Sequence, residues 1–130
     1  MNLFERLKYV ASGITHLDKV VEARWNKYKA DAGTLRPDIE AEADRRMSIC
    51  LDCPFNSIAA KESAEYASLY GRHYTTTRSD EDIHCSICFC DLPYKTLSMQ
   101  SMCGLNDWNN ANPTKYVPPK WLVYTGQPTN

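Results

Sequence analysis

The chain has 130 residues and a formal net charge of −1 at pH 7. This length allows one small domain with appendages, and the near-neutral charge excludes a global attraction for nucleic acid or an anionic membrane. No run of about 20 apolar residues is present, so the sequence predicts no membrane span. The first residues, Met-Asn-Leu-Phe-Glu-Arg-Leu-Lys, place charges within the apolar stretch, which argues against a signal peptide.

The first thirty residues show the clearest periodicity. Apolar side chains recur there at gaps of three and four residues, which places them on one face of a helix. This stripe consists of Leu3, Leu7, Val10, Ile14, Leu17, Val21, Trp25 and Tyr28. Gly13 weakens its middle by about 1 kcal/mol relative to alanine, and Thr15 with Asp18 resembles a capping box. The pattern predicts one long helix or two helices hinged near Ser12 and Gly13. The stripe packs either on the chain's own core or on another protein.

Two further helices are predicted before and between the cysteines. Gly33 suits a helix C′ position and Pro37 suits the first position of the next helix. Residues 37–49 then predict a helix with acidic residues in its first turns and arginines in its last, as the helix dipole favours. Residues 58–72 predict a third helix, ended by Gly71.

Six cysteines carry the chemistry of the chain. They occur as Cys50-Leu-Asp-Cys53, as Cys85-Ser-Ile-Cys88-Phe-Cys90, and as Cys103. A Cys-x-x-Cys turn aims two thiolates at one ion, and four thiolates complete the tetrahedral shell that zinc prefers. The alternative is a disulfide framework, which needs an oxidising compartment that nothing in the sequence indicates. Zinc is therefore the expected cofactor.

The sequence leaves the assignment of the six sulfurs open. The simplest site uses Cys50, Cys53, Cys85 and Cys88, in a short hairpin or knuckle around residues 85–95. The other two, Cys90 and Cys103, then remain as buried thiols or replace a member of the second pair. A two-zinc cluster is the other possibility, in which six thiolates share two ions and two sulfurs bridge. The imidazoles of His73 and His84 are expected to be solvated neighbours rather than ligands.

Catalysis has little support in the sequence. The cysteine spacing is not that of a ferredoxin, and no βαβ unit surrounds a thioredoxin-like pair. A catalytic zinc keeps an open position and normally uses histidine or carboxylate ligands, whereas here sulfur can close the shell. The acidic run at residues 80–82 is expected to be a solvated turn. The sequence therefore predicts no enzyme, no catalytic residue and no small-molecule substrate.

The last twenty residues contain four of the seven prolines together with several aromatic residues. Proline excludes a helix there and favours an extended arm. A segment with this many apolar side chains is poorly soluble when it is exposed to water. We therefore expect it to pack on a neighbouring subunit.

The segment from Arg45 to Trp108 resembles small cysteine-rich proteins encoded by tailed bacteriophages. The shared pattern reads Arg46-Met-Ser-Ile-Cys50-Leu-Asp-Cys53-Pro54, Cys85-Ser-Ile-Cys88-Phe-Cys90, Leu92, Lys95, Cys103 and Trp108. Two positions depart from the family, which has glycine where this chain has Phe89 and proline where it has Gly104. The resemblance implies a phage-encoded zinc-binding protein and implies no activity.

These observations predict a small, mainly α-helical protein with a zinc-ribbon-like cysteine cluster. Its parts are an amphipathic helical arm (1–36), a cysteine-rich module with a helical insertion (37–108) and an extended C-terminal arm (109–130). The expected function is structural: a zinc-stapled hub of a virion, made in the host cytoplasm, whose arms clamp other protein subunits. The expected partner anchors are Phe4, Leu7, Trp25, Tyr116, Trp121 and Tyr124. The alternative is a nucleic-acid-binding zinc ribbon in phage transcription or DNA packaging, with phosphate contacts from Lys8, Lys19, Arg24, Lys27 and Lys29.

Overall fold

The computed structural model describes residues 17–126 and the side chains from residue 19 onward. This part contains helices α1 (Leu17–Asp31), α2 (Pro37–Leu51), α3 (Ala64–Tyr70), α4 (Leu92–Lys95) and α5 (Leu105–Ala111), with a 3-10 turn at Ala59–Lys61. Within the described residues there is no β-strand, only isolated bridges between Asn56 and Cys85 and between His84 and Asp91. The prediction of a small, mainly helical protein is confirmed. None of the helices in residues 17–126 has the length and apolarity needed to cross a membrane.

The end of α1 follows the sequence closely. Gly33 has a φ of +72°, its N–H bonds to the Ala30 carbonyl at 3.1 Å, and the Thr34 N–H bonds to the Lys29 carbonyl at 2.8 Å. This pair of bonds is the Schellman motif, which places Gly33 at C′. The predicted stop is confirmed, as is Pro37 at the start of α2. The first half of the predicted arm, with Phe4 and Leu7, lies outside the described residues.

The described half of the apolar stripe faces away from the chain's own core. On the inner side of α1, Ala23 and Asn26 are buried, and the Asn26 amide donates to the Leu97 carbonyl at 2.7 Å. On the outer side, Val21, Trp25 and Tyr28 are 58%, 57% and 66% exposed. The sequence left open whether the stripe packs on the chain's own core or on another protein. Packing on the chain's own core is wrong for these three residues.

Helix α2 carries a buried arginine at the centre of the fold. Arg46 is fully buried, and its guanidinium donates to the carbonyls of Ser98 (2.7 Å) and Leu122 (3.0 Å). It also lies 4.3 Å from the centroid of the Trp121 ring. Because α2 extends to Leu51, Arg46 sits in mid-helix, and the predicted role of the arginine at the helix terminus is wrong. It instead ties α2 to the segment after α4 and to the C-terminal segment.

Two hydrophobic clusters fill the interior. The larger consists of Cys50, Phe55, Ala60, Tyr66, Tyr74, Leu92, Cys103, Leu105 and Trp121. The smaller consists of Leu35, Ala43, Leu97 and Met99. Two of the six cysteines are thus residues of the main core, so the state of the thiols and the stability of the fold are coupled.

The helix predicted over residues 58–72 is interrupted. Ser63 caps a new helix, because its hydroxyl accepts the N–H of Tyr66 at 3.0 Å, and α3 begins only after it. The predicted end is confirmed, since Gly71 has a φ of +73° and its N–H bonds to the Ala67 carbonyl at 2.7 Å. A side-chain cap inside the segment therefore overrode its helical pattern.

The C-terminal segment, residues 112–126, contains no helix or strand and folds back over the chain. Trp121 is 3% exposed, and its carbonyl accepts the N–H of Cys103 at 3.1 Å. Tyr124 bonds through its N–H to the Met99 carbonyl and through its hydroxyl to Asp38, both at 3.1 Å. The prediction that Trp121 anchors a neighbouring subunit is therefore wrong, because its side chain is buried in this chain's core. Tyr124 is likewise held by its own chain, whereas Tyr116 is exposed.

Candidate metal centre

Residues 85–90 form a tight knuckle around the second cysteine group. The N–H of Ile87 donates to the Cys85 sulfur at 3.4 Å, and the N–H of Phe89 donates to the Cys85 carbonyl at 2.8 Å. Cys85 closes the turn by donating its N–H to the Cys90 carbonyl at 3.1 Å. The sulfurs of Cys85 and Cys88 both face Gly104, where an added Cβ atom would lie 3.5 Å and 3.0 Å from them. This knuckle turns two sulfurs to one side and supplies an N–H···S bond that stabilises a thiolate.

Phe89 holds the left-handed backbone of this knuckle, with a φ of +65°. A left-handed conformation costs a residue with a Cβ about 1–2 kcal/mol, whereas glycine adopts it freely. We therefore expect Phe89→Gly to be more stable than Phe89→Ala by about 1 kcal/mol, a comparison in which both variants lose the same aromatic ring. Chemical denaturation of the two metal-loaded variants measures the difference. An alanine variant as stable as the glycine variant would show that the backbone at this position carries no strain.

The first cysteine group is organised by a buried asparagine. Cys50 lies in the last turn of α2, and Cys53 accepts the N–H of Phe55 at 3.4 Å. The Asn56 amide donates to the carbonyls of Cys50, Leu51 and Cys53 at 3.0–3.1 Å. The side-chain oxygen Oδ1 of Asn56 accepts hydrogen bonds from the N–H groups of Ile58 and Ala59, at 3.1 and 2.8 Å. Sequence reasoning missed Asn56, although an asparagine two residues after the Cys53-Pro54 pair is typical of a turn fixed by its side chain.

Main-chain bonds bring the two cysteine groups together. The Phe55 carbonyl accepts both the N–H and the hydroxyl of Ser86, at 2.8 and 2.7 Å. Ser57 and His84 exchange two bonds, in which the Ser57 N–H donates to the His84 carbonyl at 2.7 Å and the His84 N–H donates to the Ser57 hydroxyl at 3.1 Å. The loop after Cys53 therefore lies directly against the knuckle at Cys85.

Four of the sulfur-bearing residues surround one small space. Cys50, Cys53, Cys85 and Cys103 line a cavity of about 20 Å³, which accommodates an ion or a water molecule and no organic ligand. Lys95, Lys120 and Trp121 also border it, and the Trp121 indole N–H donates to the Cys50 sulfur at 3.3 Å. The structure thus brings together Cys50, Cys53 and Cys85 as the simplest sequence assignment requires. It places Cys103 rather than Cys88 as the fourth residue around this space.

The electrostatics of the thiols differ from one sulfur to the next. Burial raises the pKa of Cys50 to about 12. Hydrogen bonds from the Cys85 and Cys90 thiols hold the pKa of Cys88 well below its usual value, and the same bond to Cys88, with burial, raises that of Cys85. Burial opposes the charge on Lys95, but the neighbouring sulfurs of Cys88 and Cys90 outweigh it and raise the lysine pKa. The lowered pKa of Cys88 favours its thiolate, which is the form of cysteine that binds a metal ion.

The thiols do not form a finished ligand shell. Across the described residues, no three histidine, cysteine, aspartate or glutamate side chains stand arranged to hold a metal ion. None of the six cysteines, all of which are described, is joined in a disulfide. The residues nevertheless fit a zinc ion in their chemistry. Sulfur atoms, which zinc prefers as ligands, line the small cavity, and backbone N–H groups and an indole N–H donate hydrogen bonds to those sulfurs. Metal binding is accordingly a proposal that rests on this donor set.

Neither nearby histidine is placed as a ligand. The ring nitrogens of His84 contact the Tyr74 hydroxyl at 2.7 Å and the Asp82 carbonyl at 2.8 Å, and the residue is fully buried. It is thus a structural residue rather than the solvated neighbour expected, while His73 is exposed. In the acidic run, Asp82 is bonded to Arg78 at 2.8 Å, and Arg78 also donates to the Phe89 carbonyl at 3.1 Å. Arg78 therefore supports the knuckle, a role that sequence reasoning missed.

The candidate phosphate contacts on α1 do not share one face. At about 100° per residue, Lys19, Arg24, Lys27 and Lys29 are distributed around the helix. Lys27 pairs with Asp31 at 3.1 Å, Arg24 lies over the Tyr94 ring, and Lys29 lies over the Trp25 ring. Lys8 is outside the described residues. Within the described part of α1, these cations form no continuous basic surface of the kind that nucleic-acid binding requires.

No protein-family model, curated protein or solved structure matches the chain. The resemblance to phage proteins therefore stays a prediction, and function is inferred from the residues themselves.

Proposed function

We propose that the chain is a metal-stapled hub that binds neighbouring protein subunits through the outer face of α1, as a structural component of a bacteriophage particle. The observation that carries this proposal is the orientation of α1. Its apolar residues Val21, Trp25 and Tyr28 point away from the core although a core is available behind the helix. An exposed apolar surface of several side chains in a row is typical of a protein-binding site.

The outer face of α1 has the composition of an interface centre. The rings of Trp25 and Tyr28 stack with centroids 5.7 Å apart and an interplanar angle of 15°, and the Lys29 ammonium lies 5.3 Å from the centroid of Trp25. Tryptophan and tyrosine dominate binding energy at interfaces because they bury large areas at a low cost in side-chain entropy. We call Val21, Trp25 and Tyr28 the aromatic stripe.

The inner face of α1 holds the stripe in position. Glu22 accepts hydrogen bonds from the Ser98 hydroxyl at 3.1 Å and the Gln100 N–H at 3.2 Å, and Asn26 reaches the Leu97 carbonyl. These contacts join α1 to the segment after α4, which Arg46 in turn joins to α2 and Cys50. Metal at the cysteines would therefore rigidify the support of the stripe. The phage particle as the setting is supported by the cysteine pattern that resembles phage proteins.

The test is to replace the three side chains of the aromatic stripe and to measure how much of the chain is incorporated into phage particles. We expect Val21→Ser/Trp25→Ser/Tyr28→Ser to fold normally, because all three side chains are exposed, and to enter particles at least tenfold less than the unaltered chain. The matched control is Leu51→Ser/Ile58→Ser, which removes apolar side chains of 53% and 47% exposure elsewhere on the surface. Phage lacking the gene and complemented with each version are banded on a density gradient, and the chain is quantified by mass spectrometry.

Two outcomes would contradict the proposal. Incorporation of the triple variant at the level of the control would show that the stripe binds no subunit. Absence of the unaltered chain from purified particles would show that the protein is not a structural component. Circular dichroism of each purified variant establishes that loss of incorporation does not reflect loss of the fold.

A further inference from the structure

A cleft lies beside the aromatic stripe, between α1, α4 and α5. We call it the side cleft. We propose that it receives an apolar side chain of the neighbouring subunit, on a segment in which aspartate and glutamate flank that side chain. This inference rests on the proposed binding of a subunit through the aromatic stripe, and it deepens that proposal by giving the partner segment a chemistry.

The side cleft has the size and the walls of a pocket for protein side chains. Its volume is about 270 Å³, and Val20, Ala23, Met102 and Val123 give it apolar walls. Pockets that enclose a drug-sized molecule have volumes of roughly 300–1,000 Å³, so this cleft is small for a whole organic ligand. An apolar side chain that enters it leaves water and contacts apolar walls, which favours binding.

The side cleft and the aromatic stripe are neighbours around α1. Val20 and Arg24 line the cleft, and each is followed in the sequence by a residue of the stripe, Val21 and Trp25. At about 100° per residue, the two sets of side chains lie on adjacent faces of the helix. A segment that covers the stripe therefore lies within reach of the cleft.

Cations border this combined surface on both sides. Lys19 and Arg24 line the cleft, and the ion pairs within residues 19–126 include neither of them. The Arg24 guanidinium lies 5.1 Å from the centroid of the Tyr94 ring, which places it at the cleft. On the opposite edge of the stripe, the Lys29 ammonium lies over the Trp25 ring. The apolar surface is thus flanked by positive charge.

The carboxylates of α1 do not balance these cations. Glu22 lies on the inner face, where it accepts hydrogen bonds from the segment after α4, and Asp31 pairs with Lys27 at 3.1 Å. Two carboxylates do line the cleft, Asp91 and Asp107, but neither belongs to α1. A complementary partner therefore presents negative charge to the α1 side of the cleft.

An acidic segment with apolar side chains satisfies both features of the surface. Its apolar side chains cover the stripe and enter the cleft, while its carboxylates face Lys19, Arg24 and Lys29. Buried apolar side chains supply most of the binding energy of an interface, and complementary charges at its rim select the partner and speed association. We therefore expect the segment of the neighbouring subunit to contain more acidic than basic residues.

The first experiment identifies the occupant by photocrosslinking. The photoreactive residue benzoylphenylalanine replaces either Val123, which lines the cleft, or Tyr28, which belongs to the stripe. Purified particles are irradiated, and mass spectrometry locates the crosslinked residue. We expect both positions to crosslink to the same segment of another virion protein, in which aspartate and glutamate outnumber lysine and arginine around the crosslink.

The two positions separate this inference from the proposed function. A crosslink from Tyr28 without one from Val123 would overturn the occupied cleft and leave subunit binding through the stripe intact. No crosslink from either position would overturn both. A crosslink from Val123 to a neutral or basic segment, or to this chain itself, would overturn the stated chemistry of the partner.

The second experiment reverses the charge at the cleft without a photoreactive residue. We expect Lys19→Glu/Arg24→Glu to enter particles at least fivefold less than the unaltered chain, because its carboxylates repel an acidic segment. The matched control is Arg72→Glu/Lys115→Glu, which reverses two exposed cations that do not line the cleft. Circular dichroism establishes that both variants fold. Equal incorporation of the two variants would overturn the acidic partner segment.

Discussion

If the cysteines bind zinc as proposed, removal of the metal should unfold the protein rather than loosen a single loop. Cys50 and Cys103 are residues of the main hydrophobic core, and Cys50 also lies in the last turn of α2. Without a metal, burial keeps the Cys50 thiol protonated, and the sulfurs lose the interaction that would hold the two cysteine groups together. Structural zinc contributes about 10–16 kcal/mol in small zinc-finger peptides, which is as large as the whole stability of about 5–15 kcal/mol of a typical domain.

The measurement is circular dichroism with a strong zinc chelator under reducing conditions. We expect most of the helical signal to disappear, and the combined emission of the three tryptophans to shift to the red because the Trp121 ring leaves the core. Addition of zinc in excess of the chelator should restore both signals, which excludes irreversible aggregation. A chain that retains its helical signal after elemental analysis shows complete metal loss would contradict the staple. Intact mass under denaturing conditions reveals whether disulfides have replaced the metal.

Local signals in the sequence predicted the parts of the fold that depend on neighbouring residues. Gly33, Pro37 and Gly71 mark helix ends in the structure as they do in the sequence, because backbone conformation and the missing proline N–H act within a few residues. The spacing of the cysteines likewise predicted two groups that meet. Ser63 was overlooked because a capping serine inside a helical pattern reads as an ordinary helix residue.

Long-range contacts account for what the sequence did not predict. Arg46 bonds to carbonyls 52 and 76 residues away, and no periodicity in α2 points to them. The apolar pattern of α1 showed which residues share a face but not where that face points. Its inner side is formed by Ala23 and Asn26, a small residue and a polar one that no hydrophobic pattern selects. The same limitation made Trp121 look like an anchor for a partner, since a buried tryptophan and an interface tryptophan have the same sequence signal.

Replacement of Trp121 by alanine should destabilise the protein by about 3–5 kcal/mol, the usual cost of deleting a buried aromatic ring. Three interactions are lost together: the burial of the ring, its stacking on the Arg46 guanidinium, and the indole bond to the Cys50 sulfur. Trp121→Phe keeps an aromatic ring in the core but removes the N–H donor and part of the ring volume, so its cost should be intermediate, at about 2 kcal/mol. Tyr116→Ala is the control on the same segment, because Tyr116 is 73% exposed and its loss should change stability by less than about 0.5 kcal/mol.

This series also separates a core tryptophan from an interface tryptophan. Deleting residues 111–130 cannot do so, because the deletion removes Trp121 from the core along with any surface that the segment offers to a partner. If Trp121 anchored a neighbouring subunit, Trp121→Ala would leave the denaturation midpoint of the isolated chain unchanged and abolish incorporation into particles. The contacts of the Trp121 ring with Arg46 and Cys50 predict instead that Trp121→Ala lowers the denaturation midpoint of the isolated chain. Denaturation of the purified variant, without any partner present, therefore decides between the two roles.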